Sequence, residues 1–201
     1  MTAELLDPVD EVTLPIPYWR PMTWADLDKL PERDGHRYEI LDGSLIVSAS
    51  PTPWHQIVVL ELVVLLRAGG PADLLVLSEV DIDFDHSVLE PDVLVVQASS
   101  VTSRVKRLRP EDVVLAVEVE SPSSRRMDRL AKPAVYAEAG IPGYWRVCLD
   151  DPDAPAVVVS VLDGGAYREV VTVRAGESVV VDTPFPVQLR PAELVGPRRR
   201  D

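Results

Sequence analysis

Val113-Val114-Leu115-Ala116-Val117-Glu118-Val119-Glu120 is the stretch on which the fold turns. Its short β-branched run reads as a buried central strand. The run is closed by two carboxylates that such a strand does not need. Upstream, Val93 to Val96 reads as a second buried strand, with Pro91-Asp92 at its entrance. Before that, Val76, Ser78, Val80, Ile82 and Phe84 alternate with Leu77, Glu79, Asp81, Asp83 and Asp85. Period two predicts one strand with a wet face. Trp54 to Ala68 has helical length, is apolar on most sides and ends at Gly69-Gly70, where glycine can take the left-handed capping conformation. Downstream, Asp128 as N-cap and Gly140 past the end bracket a second helix. Pro133 inside it implies either a later helix start or a kink, because proline lacks the interior amide. Tyr144 to Leu149 is the next strand. The order is therefore helix, three strands, helix, strand over 54–149, an α/β (α+β) class with a mixed sheet.

The flanks are simpler. Residues 1–21, with Pro8, Pro15, Pro17 and Pro21, read as an irregular leader. Thr23 and Asp26 have capping-box spacing for a short helix that Pro31 ends. Tyr38 to Leu41 and Ser44 to Val47 flank Asp42-Gly43, a hairpin turn pair. Residues 150–201 read as a β-rich extension, with Ala156 to Leu162, a Gly164-Gly165 turn, Tyr167 to Val173 and Ser178 to Val181, then the basic tail Arg198 to Arg200. At 201 residues this is one expected domain, 1–201.

The net charge of −13 counts against a chain that coats itself non-specifically with a polyanion. Basic residues nonetheless cluster at 104–109, with Arg104, Lys106, Arg107 and Arg109, and at 125–132, with Arg125, Arg126, Arg129 and Lys132. The most apolar segment, Ile57 to Leu66, is interrupted by Glu61 and falls short of the ~20 residues of a membrane-spanning helix. An acidic N-terminus is the opposite of a secretion signal, so the expected location is cytoplasmic and no membrane partner is expected. Cys148 alone can form neither an internal disulfide nor a multi-thiolate zinc site, and reads as a small core residue.

Asp92, Glu118 and Glu120 carry the chemistry. Buried carboxylates need a compensating partner, and a metal ion satisfies several at once. Glu118 and Glu120 lie two apart and so share a strand face, with small Ala116 beside them. Hard oxygen donors suit magnesium or manganese. Lys132 is one of three lysines against seventeen arginines, and a compact ammonium can orient a water or stabilise developing negative charge. Glu39 on the hairpin and His55 at the start of the first core helix are further candidates. Arg125 and Arg126 could grip phosphate oxygens. Ser123 and Ser124 lack a histidine nearby in sequence, which leaves a serine-hydrolase reading without support.

Pro91-Asp92 followed by Glu118-Val119-Glu120 in this element order resembles the PD-(D/E)XK nuclease superfamily. Tyr38-Glu39, Asp42-Gly43, His55-Gln56, Ser121-Pro122-Ser123-Ser124-Arg125-Arg126, Asp128, Lys132, Tyr136 and Ala139-Gly140-Ile141-Pro142 through Tyr144-Trp145 resemble the restriction endonuclease family called Uma-two, from about Met22 to Asp150. The superfamily pattern puts lysine two residues after the acid, where this chain has Glu120. The resemblance implies that Lys132 takes that role, leaving Glu120 as a further ligand or a bystander. It also implies a magnesium- or manganese-dependent endonuclease that hydrolyses nucleic acid, taken as DNA although the residues do not separate DNA from RNA. Asp92 and Glu118 would hold the ion. Two other readings stay open: a catalytically idle binding or regulatory module of the same fold, and a hydrolase of small phosphoesters. The apolar 54–68 helix also fits a homodimer interface.

Overall fold

The computed structural model describes residues 19–31, 35–151 and 154–195. The leader up to Tyr18 and the arginine tail lie outside these. Thr23 precedes α1 (Trp24–Leu27) in the expected capping box, and its amide donates to Asp26 Oδ2 at 3.0 Å. β1 (His36–Leu41) and β2 (Ser44–Ala49) form the expected hairpin, with Asp42 at φ 48° and Gly43 at φ 74° in the turn. Both angles suit the turn that matches strand twist.

α2 (Pro53–Gly69) is capped by Thr52, whose hydroxyl accepts from the His55 amide at 3.2 Å. Its end differs from expectation, because Gly70 has φ −72° and is not left-handed. What the position requires is room: a Cβ on Gly70 would meet the Leu66 carbonyl oxygen at 3.1 Å and the Phe185 ring at 3.4 Å. The predicted strand over 76–85 is also corrected. The chain leaves β3 (Leu74–Ser78) at Glu79, where φ is 54°, and enters the two-residue β4 (Ile82–Asp83) in another sheet. A left-handed residue cannot continue a strand, yet side-chain alternation does not register the break.

β5 (Val88–Leu89) leads through Pro91 to β6 (Val93–Gln97), and β7 (Val113–Val119) has the bounds that its run suggests. Helical backbone begins at Arg125 and runs through a π-helical turn, Met127–Ala131, into α3 (Lys132–Glu138), so the helix starts earlier than expected and Pro133 lies inside it, directly after the widened turn. Asp128 therefore lies inside the turn and is no N-cap. β8 (Gly143–Cys148), β9 (Ala156–Asp163) and β10 (Ala166–Arg174) follow, with β11 (Val179–Val181) pairing with β12 (Val187–Leu189), a strand the sequence reading lacked. Cys148 is only partly buried.

The main sheet runs β10-β9-β8-β7-β6-β3. Only β7 and β8 are parallel, as the intervening α3 crossover requires. A smaller sheet runs β2-β1-β5-β4. Alternation divides the main sheet. Leu115, Val117 and Val119 pack with Val58, Leu62 and Leu66 of α2, whereas Ala116 packs with Tyr136 of α3. Glu118 thus faces α3. The mixed sheet with helices on both faces is a restriction-endonuclease-like fold. No helix among the described residues is long and apolar enough to cross a membrane.

Candidate active site at the ends of β6 and β7

Asp92 immediately precedes β6, and its carboxylate bridges to the neighbouring strand, with Oδ2 accepting from the Val119 amide at 2.7 Å. Val119 follows Glu118 in the chain, so this bond sets the two acids side by side at one end of the sheet. α3 brings Lys132, whose Nζ lies 3.1 Å from Glu118 Oε1 and 3.0 Å from Glu39 Oε1. Tyr136, one turn on, donates its hydroxyl to Glu118 Oε1 at 2.7 Å. The hairpin places Glu39 through a bond from the Glu90 amide at 2.9 Å. Asp92, Glu118, Lys132 and Glu39 come from four segments and meet, which is the geometry anticipated for the first three and, more weakly, for Glu39.

His55, from the first turn of α2, also arrives. Its Nε2 is 3.1 Å from the Val119 carbonyl oxygen and 3.3 Å from Asp92 Oδ2, both acceptors, so that nitrogen carries the hydrogen. Sequence reasoning missed Arg37. Its guanidinium reaches Asp92 Oδ1 at 2.9 Å, Glu79 at 3.0 Å and Glu90 at 3.4 Å. One signal for it existed: Arg37 stands two residues before Glu39 and therefore on the same face of β1.

Glu120 goes elsewhere. Its carboxylate accepts from Arg129 Nε at 2.9 Å and Nη2 at 2.7 Å, and from Arg146 Nη1 at 2.7 Å. Arg125 is paired with Asp150, and its Nε lies 4.0 Å from Glu120. Arg126 is exposed and makes no ion pair with any described residue. In the basic run at 104–109, Arg107 is engaged by Asp28 and Asp81 and Arg109 by Asp83 and Asp85.

The acids and Lys132 line a cavity of about 470 Å³. Asp92, Glu118, Glu39, Asp128 and Lys132 are each exposed by 4% or less, so their charges must be met inside the protein. Four carboxylates face Arg37, Lys132 and His55. The electrostatics follow. Burial pushes the Glu118 carboxyl well above the usual range, opposed by Lys132 and reinforced by Asp92, Asp128 and Glu39. Burial would lower Lys132, but Glu118 and Glu39 outweigh it, so its ammonium holds its proton more tightly than usual. The Lys132 shift records the negative charge around it, whereas that of Glu118 is led by burial. Asp92 is the exception: burial raises it, but His55, Arg37 and the Val119 amide prevail and hold it below the carboxylate range.

Among the described residues no three His, Cys, Asp or Glu side chains converge on one point. A magnesium-type ion does not require that, since it is commonly held by one or two carboxylates and keeps several waters. Two adjacent carboxylates, a backbone carbonyl and surplus negative charge fit such an ion.

A helix, three strands, helix and strand with acids at the ends of the second and third strands define a restriction-endonuclease-like fold. The chain belongs to the Uma2 family, described as "Putative restriction endonuclease", which it matches over residues 24–194. No curated protein matches it. Among solved structures it is similar to a crystal structure described as a putative nuclease belonging to DUF820 from Anabaena variabilis ATCC 29413. The TM-score is 0.64 at 17% identity, over 87% of this chain and 98% of that one. At that identity the likeness speaks for the fold.

Proposed function

We propose that the chain is a metal-dependent endonuclease that hydrolyses phosphodiester bonds of nucleic acid, DNA in the first instance, at the Asp92–Glu118–Lys132 pocket. The observation that carries this is the bond from the Val119 amide to Asp92 at 2.7 Å, which fixes two acids next to a buried lysine. Asp92 and Glu118 are the groups that would hold magnesium or manganese. Such an ion, when bound, supplies charge neutralisation at the phosphate and a more acidic water.

The chain's own residues do the rest. Arg37, His55 and the Val119 amide keep Asp92 ionised and fixed. Tyr136 orients Glu118. Lys132 keeps its proton at Nζ and presents a point charge to the phosphoryl oxygens as negative charge develops on them. Exposed Arg126 is available for a neighbouring phosphate, whereas Arg125 would first have to leave Asp150. Glu120 serves as a neutralised structural acid. The outward Ile57, Leu60 and Val64 of α2 offer a surface for a second copy of the chain; a monomeric mass at micromolar concentration would exclude it.

The test is incubation of the purified chain with supercoiled plasmid and single-stranded DNA or RNA in Mg²⁺ or Mn²⁺, alongside Asp92→Ala. Cleavage by the wild type alone supports the proposal. Equal cleavage by both points to a contaminant and refutes it.

One observation favours a second reading, the idle binding or regulatory module. Asp92 and Glu118 already have protein donors in Arg37, His55, Lys132 and Tyr136. Melting with and without Mg²⁺ separates the two. A metal-dependent rise in Tm that Glu118→Ala abolishes supports the enzyme, and no rise in either protein supports the module.

A further inference from the structure

Among the described residues, Asp128 is the pocket acid with a buried carboxylate oxygen that lacks a hydrogen-bond partner. Its Oδ2 accepts from the Ser124 hydroxyl at 2.5 Å, while Oδ1 is buried and has no hydrogen-bond partner among the described residues. The residue is 1% exposed and lines the same cavity as Asp92 and Glu118. An ionised carboxylate so placed is costly unless a cation is close. Arg129, the next residue, is bound to Glu120, and Lys132, one turn on and lining the same cavity, has its ammonium against Glu118 and Glu39.

The local backbone is also unusual. Asp128 lies in the π-helical turn Met127–Ala131, a widened turn that tends to persist where a side chain's placement matters to function. It does not cap the helix, since no backbone amide donates to its carboxylate among the described residues. The Tyr144 hydroxyl donates to the Asp128 carbonyl oxygen at 2.5 Å and pins the turn to β8. Ser124 and Tyr144 therefore hold the residue from two sides and leave Oδ1 buried, without a hydrogen-bond partner among the described residues, on a residue that lines the cavity.

We propose that Asp128 is a cation ligand of this pocket, presenting Oδ1 to a hard divalent ion such as magnesium or manganese, with Ser124 as the residue that positions it. This rests on the endonuclease reading, and because no three such side chains converge on one point among the described residues, Asp128 would take its ion with at most one other pocket acid. Carboxylate oxygens select such ions over zinc, which prefers nitrogen and sulfur donors.

The test is calorimetric titration of Mn²⁺ into the full chain, with wild type, Asp128→Asn and Asp92→Asn compared, and folding checked by circular dichroism. Asparagine keeps the shape and an acceptor for Ser124 but removes the charge. Mn²⁺ binding at least tenfold weaker in a folded Asp128→Asn supports the proposal. Wild-type affinity in Asp128→Asn, with binding lost in Asp92→Asn, overturns it and leaves the endonuclease reading standing. No binding by the wild type removes both. If Asp128→Asn does not fold, Asp128→Ser takes its place with the same two outcomes.

Discussion

Glu118 and Glu120 stand two residues apart at one strand end, both buried, and live in opposite electrostatic settings. Glu120 is gripped by Arg129 and Arg146, with Arg125 near, so positive charge is ample. Glu118 shares Lys132 with Glu39 in a cavity that also holds Asp92 and Asp128. Burial alone thus does not mark a site. The balance of charge among the neighbours does, because a satisfied ion pair is complete while an unbalanced pocket has capacity for a further cation.

This contrast can be broken by substitution. The largest effect is expected for Glu118→Gln: plasmid cleavage should fall on the order of 10²–10³-fold, with Tm nearly unchanged because a surplus acid is removed. A Tm loss equal to that of Glu120→Gln would dissolve the distinction. Lys132→Met should cost about 3 kcal/mol in urea unfolding as well as activity, since Glu118 and Glu39 are left buried without their shared cation. Next comes Glu120→Gln, expected to cost about 2 kcal/mol, less because its arginines are partly exposed, while cleavage stays within about threefold of wild type. Cleavage lost on Glu120→Gln with stability kept would instead return this residue to the site as a ligand.

The smallest effect has the opposite sign and depends on pH. Burial pushes Asp128 from the ordinary 3.8 up to about 6. The fold therefore binds a proton more tightly than the unfolded chain does, and the stability from this group is complete below about pH 4 and lost as pH rises through about 6. Asp128→Asn should be more stable than wild type at pH 8 by on the order of 1–2 kcal/mol without metal. The two should converge by pH 4. Thermal melts across that range check the sign, and a variant less stable at pH 8 would show that the pocket has no surplus of negative charge.

Much of the architecture was legible because it is local. The Val113–Val119 run, the Asp42-Gly43 turn and the length of α2 each follow from neighbours in sequence, and each occurs where expected. Asp92, Glu118 and Lys132 stood out because charged residues interrupted apolar patterns. The broken strand at Glu79 was not legible, since alternation continues across a residue whose φ is 54°. The residue type of Asp128 suits a cap, and only the π-turn shows it buried inside the helix.

The residue order by itself determined most of the strands and helices, which acids end β7, and the family to which the chain belongs. Tertiary structure alone decided which cation meets which acid: Arg37 reaches Asp92 across fifty-five residues of chain, and Glu120 turns to Arg129 and Arg146 instead of the pocket. Secondary structure follows periods of two to four residues. Charge pairing is set by which strand ends converge in space, and no local period records that.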